Sequence, residues 1–416
     1  MSAGPYGLAT AARLRTKTIE TRRVYACVMG DTDLLRSLRL AHIPCVVAAA
    51  PGSAQRHSRL ARMSLDWVDP TTQPDTLIRI LEHFAAGMPK PPVLFYDEDR
   101  YLLFMSRERA RLNRNFRFVL PESRLVEDLV DKSRFQHLAK RLRLPTPPGR
   151  LLDPASDPAP LDLDFPVVLK PRQRDEEWPA IGGEAKALRV DSKAGLREIW
   201  SRLAAANQPV LVQRLIPGPE TQVESYHVYV DSRGAIAGEF TGRKLRTWPP
   251  AYGFSTALIT TDAPDVLALG RDIIARLEFR GVAKLDFKRG PDGKLYLLEV
   301  NPRFNLWHHL GARAGVNIPA IVYADLVGEP RPITGKARAG VHWCKPWLDL
   351  FAARADGISL GTWFKWMLRA EAKRTLAWDD PFPLLSAYLE RKFSRLPHPE
   401  AAAPHVPATA SAEHQG

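Results

Sequence analysis

Cysteine is scarce, with three among 416 residues, too few for a disulfide framework. Cys27 and Cys45 sit in apolar, strand-like runs and Cys344 follows Trp343, so all three read as reduced, packed thiols of a cytoplasmic protein rather than as metal ligands. Long hydrophobic runs are missing too, since no apolar stretch approaches the roughly 18 residues that span a bilayer. Residues 1–21 carry Glu20 as their only acid and lack the continuous apolar stretch of a secretion signal, so they read as a disordered leader. Acids are also short, 46 Asp and Glu against 59 Lys and Arg, which gives a formal charge of +13. That surplus attracts anions. The cations are scattered, however, and no helix-turn-helix, zinc-finger or RNA-binding signature accompanies them, which argues against nucleic acid. GxGxxG is absent, because the first strand ends in Met29, Gly30 and Asp31, an ordinary strand-to-helix turn.

What is present is ordinary in bulk, 45% hydrophobic and 25% charged, over a length that implies two to four lobes. Val24 to Met29 and Ile43 to Ala48 read as strands around a helix at Leu34 to Leu40, a βαβ unit. An amphipathic helix on Leu77, Ile80, Leu81 and Phe84, a strand from Pro91 to Phe95 and a helix from Tyr101 to Leu112 extend it into a doubly wound parallel sheet over 22–130. Asp131, Lys132 and Ser133 open the next helix, whose apolar positions Phe135, Leu138, Ala139 and Leu142 keep helical spacing until Pro145. A lysine at a helix start either joins the helix dipole in holding phosphate or is a solvated surface group. Lys170 ends the apolar strand Phe165 to Leu169, where a charge needs a partner, and a nucleotide phosphate is one. The polar loop 172–186 with Gly182 and Gly183 reads as a lid or as a plain hairpin loop. The strand Pro209 to Gln213 then runs into a Pro/Gly-rich bend, Arg214 to Glu220, that leaves backbone amides for a base edge.

The most informative stretch is a hairpin turning at Gly290 to Gly293. If Asp286 pairs across it with Glu299, strand alternation puts Lys284, Asp286, Glu299 and Asn301 on one face and Leu285, Phe287, Leu298 and Val300 on the other. Two carboxylates and an amide oxygen are hard donors suited to Mg²⁺, which completes its shell with water and substrate phosphate. An exposed hairpin can also carry three such groups on its wet face without binding anything.

Asp131-Lys132, Lys170-Pro171, Gln213 to Gly218 with Glu220, and Asp286, Glu299, Asn301 and Arg303 stand in the order and spacing of the ATP-grasp superfamily, which the chain resembles over roughly 24–330. More narrowly, Thr241 to Pro250 and Asn301 to Phe304 with Trp307 to Arg313 resemble a bacterial branch of carboxylate–amine ligases, relatives of the D-aspartate ligases. The resemblance implies an α/β fold in which the parallel-sheet lobe precedes two α+β lobes, about 131–213 and 214–330, that sandwich ATP. It also implies roles. Lys132 and Lys170, with Gly182 and Gly183 of the lid, would hold phosphates. Gln213, Arg214, Leu215 and Ile216 would line the adenine slot, and Glu220 would take the ribose hydroxyls. Asp286, Glu299 and Asn301 would hold Mg²⁺ or Mn²⁺. Lys244 and Arg243 would reach the terminal phosphate, and Arg303 would counter charge on the acyl phosphate or carboxylate. Two departures stand out: Gln213 replaces a usual acid, and the loop around Gly182 is longer and more acidic than the pattern.

The activity so implied is ATP-dependent joining of a small-molecule carboxylate to an amine through an acyl phosphate. Another ATP-grasp phosphotransfer or carboxylation, or an inactive nucleotide-binding regulator, remains the alternative. His227, His308 and His309 are candidate bases or packed core groups, without metal-ligand spacing. Residues 331–396, with Trp363, Trp366 and Met367 at helical spacing, read as a helical appendage packed on the core, and 397–416 as a disordered tail. The expected partners are the two small-molecule substrates and, in a homodimer, a second copy of the chain, with no membrane.

Overall fold

The computed structural model describes residues 23–154, 161–172, 187–205, 207, 209–374 and 380–382. Gly182, Gly183, the rest of the expected lid beyond Arg172, the leader over 1–21 and the tail over 397–416 lie outside the described residues.

Four short strands, β1 (Ala26–Met29), β2 (Cys45–Ala48), β3 (Ala61–Leu65) and β4 (Val93–Tyr96), form a sheet in the order β3-β2-β1-β4, all parallel. β1, β2 and β4 are buried along their whole length, as strands covered on both faces must be. This is the doubly wound sheet the sequence predicts, plus β3, whose half-buried residues carry no strong strand signal. Cys27, Cys45 and Cys344 are free and buried, and burial pushes their thiols up to about 12, so they are inert.

The second sheet is antiparallel, β5 (Gly149–Leu152), β6 (Val167–Pro171), β7 (Leu188–Val190) and β8 (Val210–Arg214), in the order β5-β8-β6-β7. Val167, Leu169, Val210 and Val212 pack on Leu196, Trp200 and Leu203 of the helix Lys193–Ala205. Alternation therefore turns Val168, Lys170 and Gln213 to the opposite face.

The third sheet holds β9 (Val223–Val230), β10 (Ile236–Trp248), β11 (Phe254–Thr261), β12 (Gly281–Arg289), β13 (Leu295–Asn301), β14 (His342–Cys344) and β15 (Ala372–Lys373), in the order β13-β12-β9-β10-β11-β14-β15. One face, with Tyr226, Val228, Leu285, Phe287, Leu297 and Val300, buries against Ile273 and Ile274 of the helix Pro264–Arg276. The other face carries Ser225, His227, Asp286 and Lys284 in cross-strand register. The helix Trp307–Arg313 packs there, and two glycines let it close: a Cβ on Gly242 would lie 2.7 Å from the Trp307 ring, and one on Gly311 would lie 2.4 Å from the Phe240 ring.

The segment after 330 is joined to this sheet rather than merely leaning on it, because β14 pairs with β11 and β15 with β14. Its helices Pro346–Ala355 and Leu360–Arg369 follow, the second burying Trp363 and Met367 as their spacing predicts. Asp349, fully buried, accepts both arms of Arg246 at 2.8 and 2.7 Å, the Thr256 hydroxyl at 2.8 Å and the Trp363 indole at 3.0 Å. Among the described residues, no helix is long and apolar enough to cross a membrane.

Candidate active site

The hairpin β12–β13 has the register its turn predicts, with Asp286 opposite Glu299 and Lys284 opposite Asn301. A bulge after Asp286 then sets Leu297, not Leu298, opposite Phe287. Leu298, expected on the apolar face, is displaced from it, and Leu297 is the residue buried there. Asp286 is buried, accepts from the Ser225 hydroxyl and pairs with Lys284 at 2.7 Å. Glu299 Oε1 accepts from Asn301 Nδ2 at 3.0 Å, and Asn301 Oδ1 accepts from Arg303 at 3.3 Å. Arg303 also binds the Asp99 carboxylate and the Asp97 carbonyl, which ties the end of β13 to the first sheet.

From the second sheet, Lys170 Nζ donates to Gln213 Oε1 at 3.0 Å, while Gln213 Nε2 donates to Pro147 O at 3.3 Å. Burial lowers the Lys170 pKa to about 8, with Glu299 and Glu220 opposing that shift and Lys132 and Lys244 adding to it. Groups drawn from a helix start, the second and third sheets and the Pro/Gly-rich bend thus share one electrostatic neighbourhood. Asp131 caps the helix Lys132–Arg141 through the amides of Ser133 and Arg134 and pairs with Arg172 at 2.9 Å. Lys244 pairs with Glu220 at 3.4 Å.

Three details differ from the sequence reading. Arg243 does not join Lys244: Gly242 stands opposite Ser225 and Arg243 opposite Glu224, so successive residues alternate, and Arg243 lies exposed on the far face of the sheet. The amides of Arg214 and Leu215 are not free for a base edge, since they donate to Pro148 O and Pro166 O at 2.8 and 3.1 Å. Glu220 is engaged by Lys244. The bend is held instead by Lys288, whose ammonium donates to the carbonyls of Gly218 and Pro219. Ile216 is buried, and the Arg214 guanidinium lies over the Tyr296 ring at 5.8 Å, so the hinge meets the hairpin.

Sequence reasoning passed over Ser225, on a strand with no motif of its own, and over the role of Lys288, which lies on the hairpin strand β12 itself. The three histidines are core groups. His227 stacks on Phe240 at 4.4 Å, His308 Nδ1 lies 3.0 Å from both the amide and the carbonyl of Asn305, and His309 Nδ1 lies 3.0 Å from Asp33. Burial lowers all three pKa values, that of His308 to about 4, which leaves His227 and His308 uncharged near neutrality.

No protein-family model matches the chain. It is 24% identical over 264 residues to the D-aspartate ligase of Enterococcus faecium (strain Aus0004), an alignment covering 61% of this chain and 63% of that relative's length. Two solved structures superpose at a TM-score of 0.59 and 15% identity. One is a biotin carboxylase–ATP-analogue complex from Campylobacter jejuni, matched over 76% of this chain and 74% of that one. The other is N5-carboxyaminoimidazole ribonucleotide synthetase with ADP, matched over 79% and 82%. The fold is that of these solved structures, an α/β sheet lobe followed by two further sheets. Lys170 and Gln213 on the second sheet share their neighbourhood with Lys244 and Glu299 on the third.

The donor set fits a hard divalent cation. Asp286, Glu299 and the Asn301 amide supply oxygens only. Among the described residues no group of three His, Cys, Asp or Glu side chains gathers to cage a metal, so an ion held here would take further oxygens from water or from a phosphate.

Proposed function

We propose that the chain is an ATP-dependent carboxylate–amine ligase. A carboxylate does not condense with an amine in water, because its oxygen is a poor leaving group. In the proposed reaction a carboxylate oxygen attacks the γ-phosphorus and ADP leaves. The amine nitrogen then attacks the acyl carbon, and phosphate leaves with one of the original carboxylate oxygens. Phosphoryl transfer needs positioning and charge neutralisation more than a protein nucleophile. Lys170 and Lys244 supply cations from opposing sheets, Lys132 lies beside them, and Arg303 stands at the junction with the first sheet. Bound Mg²⁺ or Mn²⁺ would neutralise the β- and γ-phosphates and be held by Asp286, Glu299 and Asn301. Use of ATP and three free thiols fit a cytoplasmic setting.

The observation that carries this reading is the cross-strand pairing of Asp286 with Glu299, within electrostatic range of Lys170 on the facing sheet. The test is ADP release from Mg-ATP, screened over pairs of amino-acid carboxylates and amines, with bicarbonate as a separate acceptor. Release is expected only when carboxylate and amine are both present, and Glu299→Gln is expected to abolish it in a folded protein. Release driven by bicarbonate alone would reassign the chemistry to carboxylation, and normal turnover by Glu299→Gln would remove the metal assignment.

A further inference from the structure

Asp286 is buried, and a buried carboxylate must keep a cationic partner. Lys284 is that partner, on the same strand face two residues away, at 2.7 Å from Asp286 Oδ2. Its own surroundings offer little else. The Trp307 ring lies 5.9 Å from the ammonium, and His227, opposite Lys284 in the register, is uncharged, as is His308 beyond it. Glu299 is the diagonal acid on this face, and Asn301, directly opposite Lys284, has its oxygen engaged by Arg303. The proposed metal ligands are therefore not idle: the chain's own ammonium and guanidinium groups sit on Asp286 and Asn301.

Building on the ligase reading above, we propose that Lys284 is an exchangeable counter-cation that neutralises Asp286 in the free protein and is displaced when the divalent metal binds. A displaced ammonium on this largely enclosed face needs another anion, and the polyphosphate brought by the nucleotide supplies it. Lys284 is thus a positioning residue that couples metal to nucleotide. Metal alone binds weakly because it must leave Lys284 unpaired, and metal with nucleotide binds well because Lys284 moves onto phosphate. By linkage the coupling is reciprocal.

The experiment is Mn²⁺ binding by the full chain, read by electron paramagnetic resonance with and without a non-hydrolysable ATP analogue. Lys284→Met, with Lys284→Gln as a second variant, should bind Mn²⁺ alone about tenfold more tightly than the unaltered chain and lose most of the gain that nucleotide brings, the usual size of a coupling between linked sites. Lys284→Arg keeps the charge and should keep the weak binding. Unchanged or weaker Mn²⁺ affinity in a folded Lys284→Met or Lys284→Gln, or tightening by Lys284→Arg as well, would overturn the exchange while leaving the metal site in place. Asp286→Asn separates the two levels: if it bound Mn²⁺ like the unaltered chain, the site reading itself would fall and the exchange with it.

Discussion

Gln213 puts a neutral amide beside Lys170, where the family resemblance of the sequence leads one to expect an acid, and the consequence falls on Lys170. An acid would hold the ammonium charged. Gln213 gives it only a carbonyl oxygen at 3.0 Å, and burial lowers the pKa to about 8. The protonated form binds phosphate, so ATP affinity measured by calorimetry should fall as pH rises from 7 to 9, with protons taken up on binding near pH 8. Gln213→Glu places a negative charge beside Lys170, raises its pKa and should flatten that dependence; an identical pH profile in the variant would refute the assignment. Lys170 and Gln213 were conspicuous in the sequence because each is a polar group ending an apolar strand, and Asp131 because it opens a helix. Arg243 was misplaced for an equally physical reason. Adjacent strand residues point to opposite faces, so a motif that holds two neighbouring cations delivers only one to the site.

Among elements, the β12–β13 hairpin was the most readable, because its turn fixes the register and the register fixes the faces. The bulge at Leu298 was not readable, since both Leu297 and Leu298 satisfy an apolar pattern and only packing chooses between them. The short β14 pairs with β11, and β15 with β14, over long sequence separations, and neither carries a local signal of its neighbour. The same holds for the Arg246–Asp349 pair, which joins β10 to the helix Pro346–Ala355. Asp349→Ala leaves the Arg246 charge, the Thr256 hydroxyl and the Trp363 indole without their shared acceptor. Removing one partner of a buried ion pair costs about 3–5 kcal/mol, so a drop of several degrees in thermal midpoint is expected. A midpoint within a degree of the unaltered protein would mean that the C-terminal helices do not depend on this hub.

For the whole molecule, the parallel sheet followed from strand–helix periodicity and the rest of the fold from motif order, whereas the way the sheets touch did not. Arg303, just after β13, bridges that strand to Asp97 and Asp99 after β4, and Lys288 pins the Pro/Gly-rich bend to β12, contacts that only the folded chain brings together. They place the end of the first sheet beside the proposed phosphate-binding groups, where in the ligase reading a carboxylate and an amine would have to meet. The claim that a carboxylate is activated there as an acyl phosphate has a direct test, because the leaving phosphate must carry one oxygen from that carboxylate. With the substrate pair found by ADP release, an ¹⁸O-labelled carboxylate should place one ¹⁸O in the phosphate per turnover, seen as an isotope shift in ³¹P NMR. Phosphate free of label, with ADP and amide formed in equal amounts, would contradict it.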